Sequence, residues 1–156
     1  MTTHVNALGQ PIGAPLDDWQ PPPRPTATVL DGAWTRLERL DPDRHAHALY
    51  EANALDTDGR NWTYLPIGPF ATFGAYDAWL RAMAPGADPY FFAVLDRATG
   101  LPVGVTSYLR IDPAAGSIEV GHINFSPRAQ RTSAASEAMF LMMRHAFGLG
   151  YRRYEW

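Results

Sequence analysis

The sequence predicts an α/β fold with a mixed sheet, and three observations carry that prediction. Residues 88–96, 103–111 and 117–125 are rich in β-branched and aromatic side chains. They are separated by the turns Ala98-Thr99-Gly100 and Asp112–Gly116, so they read as three consecutive antiparallel strands. Apolar residues at three- and four-residue steps predict helices near 42–55, 72–83 and 132–147. The third strand enters its helix through a polar loop, Ser126-Pro-Arg-Ala-Gln-Arg-Thr132. The resulting order is strand, helix, helix, three-strand meander, helix, strand.

Residues 1–26 form a Pro-rich lead-in, and residues 27–156 form the domain. The run Pro21–Pro25 favours an extended polyproline conformation, with Trp19 as a pin to the surface or the whole segment as a partly ordered tail. Thr26 to Leu40 reads as two strands around the hairpin dipeptide Asp31-Gly32. Asp41 caps the first helix, Pro42 suits its first position and Asp43 complements its dipole. Its expected inner face is Ala46, Leu49, Tyr50 and Ala54, with His45 and His47 as surface or packing residues. The loop 56–70 holds an unusually aromatic run, Asn61-Trp-Thr-Tyr-Leu-Pro66. The second helix carries Phe73, Tyr76, Trp79 and Leu80 in a stripe and stops at Pro85-Gly86. Tyr90–Leu95 reads as a buried strand. Gly104 in the next strand marks a bulge or a close backbone approach. Gly148 and Gly150 stop the third helix, and Tyr151–Trp156 begins another strand.

At 156 residues the chain is sized for one domain, and 46% hydrophobic content supports a core. A net charge of −3 gives no electrostatic footprint for nucleic acid. Without cysteine there is no disulfide or thiol nucleophile, and no His/Glu pattern suggests a metal. No apolar run approaches the roughly 20 residues needed to span a bilayer, and no signal pattern opens the chain, so a cytoplasmic protein is expected.

The loop before the third helix is the candidate site. A helix start exposes amides without intrahelical partners, and these attract phosphate. Small residues at Ser133, Ala134 and Ala135 allow close approach, and Arg128 and Arg131 add positive charge. The same residues also fit an ordinary strand–helix connection capped by Thr132 or Ser133.

Gln130-Arg-Thr-Ser-Ala-Ala135 resembles the Q/R-x-x-G-x-G/A loop of the GNAT superfamily of acyl-CoA-dependent N-acetyltransferases. It departs from that pattern at Ser133, where Gly is usual and positive φ is restricted by a side chain. Ile118-Glu-Val-Gly-His122 followed by Ser126-Pro127 is similar to the Rim-type branch, which acts on ribosomal-protein N-termini and small amines. The element order agrees over roughly 26–156. The resemblance implies acetyl-CoA as cosubstrate, with its pyrophosphate on Gln130, Arg131, Thr132, Ser133, Ala134 and Ala135. It implies pantetheine pairing along Ile123, Asn124 and Phe125. It also implies that Trp62 and Tyr64 wall the acceptor groove, unless they form a lid over the core. The expected partners are acetyl-CoA and an amine, without nucleic acid, membrane or metal; a homodimer is left open.

Acetyl transfer needs a group to take the amine proton. Glu119 is the expected base; its other reading is a partner for a nearby arginine. His122 is the second candidate, and strict alternation places it on the opposite strand face from Glu119. The resemblance implies a general acid on a fourth helix beyond Trp156, so the chain reads as a domain incomplete at its C-terminal end. A non-catalytic acyl-CoA-binding or interaction domain is the alternative to an enzyme.

Overall fold

A computed structural model describes residues 3–156. A small hairpin, β1 (His4–Val5) with β2 (Pro11–Ile12), comes first. The sequence reading expected an extended lead-in here. Turn chemistry explains the difference: the Asn6 side chain accepts from the amides of Leu8 and Gln10 and reverses the chain. Further on, Pro22 and Pro25 are buried, and Arg152 lies over the Trp19 ring at 5.6 Å, so the Pro-rich stretch is pinned to the domain.

Six strands form the main sheet in sequence order: β3 (Val29–Asp31), β4 (Thr35–Arg39), β5 (Tyr90–Asp96), β6 (Pro102–Asp112), β7 (Ser117–Phe125) and β8 (Arg153–Glu155). All neighbours are antiparallel except β7 and β8, which run parallel. Helices α1 (Pro42–Asn53) and α2 (Phe73–Met83) cover one face, and α3 (Ser133–Gly148) covers the other. β5 shows why its sequence is a continuous apolar run. Phe91 and Ala93 pack toward α1 and α2, while Phe92 and Val94 pack toward α3. A central strand covered on both sides has no wet face on which to place polar residues.

Local signals set the helix ends. Asp41 caps α1 by accepting from the Asp43 amide, and Thr72 and Thr132 cap α2 and α3 by accepting from the amides three residues on. The buried side of α1 is His45, Ala46, Leu49, Ala52 and Asn53, so Ala54, expected inside, is exposed. His45 is inside because Glu38 of β4 faces its Nε2 at 3.4 Å, while its Nδ1 accepts from the Asp41 amide. Burial lowers the His45 pKa. Burial alone would raise that of Glu38, but Arg36, Arg44 and His45 bring it below the usual carboxylate range.

α3 is clamped to the β3–β4 turn by one side chain. The Glu137 carboxylate accepts from the backbone amides of Ala33, Trp34 and Thr35 at 2.7–2.8 Å. Those three donors outweigh its burial and hold its pKa low. The clamp fixes where the first turn of α3 sits relative to the sheet edge.

Candidate active site

The site lies along β7 and at the start of α3. β7 pairs with β8 only over Ser117–Glu119. Beyond Glu119 its edge on that side has no ladder neighbour among the described residues. On the other side β6 approaches closely, and Gly104 makes this possible. A Cβ there would stand 2.7 Å from the Asn124 carbonyl oxygen.

The geometry corrects two expectations about backbone conformation. Glu119 and His122 share a face. The ladder passes from Ser107 opposite Gly121 to Val105 opposite Asn124, so β7 holds one more residue than β6 across this step. His122 absorbs it with φ of 48°. The bulge turns the imidazole to the α1/α2 face, where it meets the Phe91 ring at 5.0 Å and Ser107 Oγ at 2.9 Å from Nδ1. Alternation fails at a bulge, and nothing in the local composition announces one. Second, Ser133 is the first residue of α3, and positive φ falls at Arg131 instead, at 59°.

Glu119 is mostly buried and pairs with the Arg110 guanidinium. Burial favours the neutral form of His122, and the nearby Glu119 charge opposes that effect. Asn124 is 2% exposed, yet neither end of its side-chain amide has a partner; the buried Ser126 hydroxyl also lacks one. Buried polar groups of this kind are normally hydrogen-bonded, so these two side chains stand out on this face.

The loop after β7 is tightly folded. Ala129 and Gln130 donate to the Ser126 carbonyl, and the Thr132 hydroxyl donates to that of Ala129. Gln130 reaches back to donate to the Phe125 carbonyl at 2.9 Å and to Asn61. It thereby joins the loop, β7 and the short helical turn Arg60–Trp62. The amides of Ser133 and Ala134 have no partner among the described residues, whereas that of Ala135 is taken by Thr132. No acidic residue stands in this first turn. Arg128 and Arg131 form no ion pair among the described residues. A cleft of about 440 Å³ opens here, lined by Trp34, Arg97, Arg128, Thr132 and Ser133. Asp96 also borders it, but its carboxylate is occupied by Ala98 and Thr99 in its own turn. Open amides and unpaired arginines fit an anionic diphosphate, and the bare strand edge fits an extended amide-bearing chain.

The two aromatic candidates differ. Trp62 is buried against Phe70 and Tyr76, while Tyr64 is 97% exposed. Sequence reasoning did not single out Ser107, Asn61 or Glu137. Each acts through a partner distant in sequence, and none carries a local motif. Among the described residues no cluster suited to a metal ion forms, and no helix is long and apolar enough to cross a membrane.

Comparison with known proteins identifies the family. The chain belongs to the acetyltransferase (GNAT) domain family, which matches residues 35–156. It is similar to the crystal structure of a GCN5-related N-acetyltransferase from Brucella melitensis. The identity is 41% and the TM-score 0.87, over 90% of this chain and 64% of that one. A probable acetyltransferase of the GNAT family from Chromobacterium violaceum is 34% identical with a TM-score of 0.83, over 93% of this chain and 72% of the other. The ribosomal L7/L12 alpha-N-protein acetyltransferase RimL shares the fold at 14% identity and TM-score 0.62, over 79% of this chain and 66% of its own. No curated protein matches.

Proposed function

We propose that this protein transfers an acetyl group from acetyl-CoA to a primary amine, a protein N-terminus or a small molecule. One observation carries the reading: the edge of β7 left open beyond Glu119 leads, through a loop whose Arg128 and Arg131 form no ion pair among the described residues, to the open amides of Ser133 and Ala134. Membership of the GNAT family supports it.

In this reading the first-turn amides, with Arg128 and Arg131, bind the pyrophosphate, and Gln130, Thr132 and Ala135 shape that turn. The edge of Ile123, Asn124 and Phe125 pairs with the pantetheine arm, and the orphan Asn124 amide gains a partner. Bound acetyl-CoA supplies an activated acyl carbon: the amine nitrogen bonds to it, the C–S bond breaks, and the thiolate takes up a proton. Glu119 draws the amine proton toward its face of the strand. Tyr64 contacts the acceptor, and Trp62 backs that wall from the core.

Calorimetric titration with acetyl-CoA, followed by an amine screen, tests the reading. Saturable binding is expected, weakened about tenfold in Arg131→Ala because a charge-assisted contact is lost. Glu119→Gln should lower kcat/KM by about a hundredfold. A folded protein that does not bind acetyl-CoA removes the reading. Binding without turnover on any amine makes this a non-catalytic acyl-CoA-binding protein.

A further inference from the structure

His122 sits in a setting that prepares one of its ring nitrogens. Ser107 is fully buried, and its Oγ lies 3.2 Å from the Gly121 carbonyl oxygen and 2.9 Å from His122 Nδ1. A hydroxyl has one proton to donate. A carbonyl can only accept, so a hydroxyl directed at Gly121 leaves an Oγ lone pair facing the ring. In that arrangement the lone pair accepts from Nδ1–H, and the neutral imidazole carries its proton on Nδ1. Nε2 then carries a free lone pair, and it makes no hydrogen bond among the described residues. The Phe91 ring packs against the imidazole and limits its rotation.

The charged groups around it favour the same role. Burial keeps the ring neutral near pH 7, the form that can accept a proton. Glu119 on the same strand stabilises the imidazolium once formed. Glu119 itself pairs with Arg110 of β6. Glu155 of β8 stands beside Glu119 in register and is paired with Arg153. From the remaining elements this face receives Phe91, Trp62, Asn53 and Tyr76; burial raises the Tyr76 pKa, so its hydroxyl stays protonated.

We propose that His122 Nε2 is the immediate acceptor of the amine proton, with Ser107 as the positioning residue that sets its tautomer and Glu119 as the charge that stabilises the product imidazolium. The proposal rests on the acetyl-transfer reading. As the amine nitrogen bonds to the acyl carbon and the C–S bond breaks, its proton passes to the Nε2 lone pair. The imidazolium later releases that proton to solvent, and the thiolate is protonated separately.

Long-range ¹⁵N–¹H NMR of the histidine rings, with His122 assigned through His122→Asn, reads the tautomer without any substrate. A proton on Nδ1 and a bare Nε2 are expected. Ser107→Ala should mix the tautomers, and Ser107→Thr should restore the original one. A neutral ring protonated on Nε2 overturns the proposal. With an active amine, His122→Asn should lower kcat/KM about a hundredfold and remove the acidic limb of the pH–rate profile. An unchanged limb and rate overturn the proposal while leaving acetyl transfer standing. If no amine turns over, the acetyl-transfer reading fails, and the proton-transfer step falls with it.

Discussion

On one face of β7, Ile118 and Val120 are almost fully buried against α3 in an apolar cluster with Leu141 and Met142. On the other, within the same nine residues, stand Glu119, His122 and Asn124. Every side chain that β7 sends to the first face is apolar: Ile118, Val120, Ile123 and Phe125. The second holds an ion pair, a half-buried imidazole and an amide with no partner. The contrast separates two uses of burial. Apolar burial stabilises the fold by about 25 cal/mol per Å², whereas burying unpaired polar groups costs stability and persists where a ligand would satisfy them.

Removing atoms from the apolar face should have the largest effect on stability. Ile118→Ala leaves a cavity at a fully buried site and should lower the unfolding free energy by about 2–5 kcal/mol. Urea denaturation measures this, and a loss below about 1 kcal/mol would mean the face repacks freely.

Asn124→Leu should act in the opposite direction. It removes the orphan amide at similar volume and should raise stability by about 1 kcal/mol. The same change should weaken acetyl-CoA binding in calorimetry. Unchanged binding would mean that the amide is not waiting for the coenzyme.

A smaller effect is expected with pH, and it involves both faces. Burial lowers the pKa of His122 on the polar face and of His145, which meets Tyr108 on the α3 face. For a depressed histidine the unfolded chain binds the proton first. Stability is therefore complete above the ordinary value of 6.5 and declines as pH falls below it. A second decline should follow below 4.5, where Glu38 and Glu137, both held low, begin to lose their advantage in the folded state. Thermal unfolding between pH 8 and 3 should show both steps, with the first shallower in His122→Asn. A flat profile from pH 7 to 5 would contradict the histidine part.

Much of the scaffold is legible in the chain itself. β7 runs over Ser117–Phe125 as its β-branched and aromatic content predicts, and Asp41, Thr72 and Thr132 cap their helices because short polar side chains reach the local amides. Gly104 was readable as a close approach, and the structure shows the carbonyl that approaches it. These signals are local: a period of two or 3.6, a cap, a missing Cβ. The loop from Gln130 to Ala135 was visible as a motif, but its mechanics were not. Gln130 works through Phe125 and Asn61, and the positive φ lies at Arg131 rather than Ser133.

The amino-acid sequence by itself determined the element order, the apolar stripes of the helices, and the small, basic, acid-free turn that opens α3. Those properties depend on residues within one or two turns of each other. Tertiary structure alone decided which polar groups share the working face of β7. The extra residue at His122 reverses the side-chain alternation, and a bulge arises only when β6 and β7 are paired in a particular register. It also decided where α3 begins in space, because Glu137 can find the amides of Ala33, Trp34 and Thr35 only after a hundred residues of chain have folded between them.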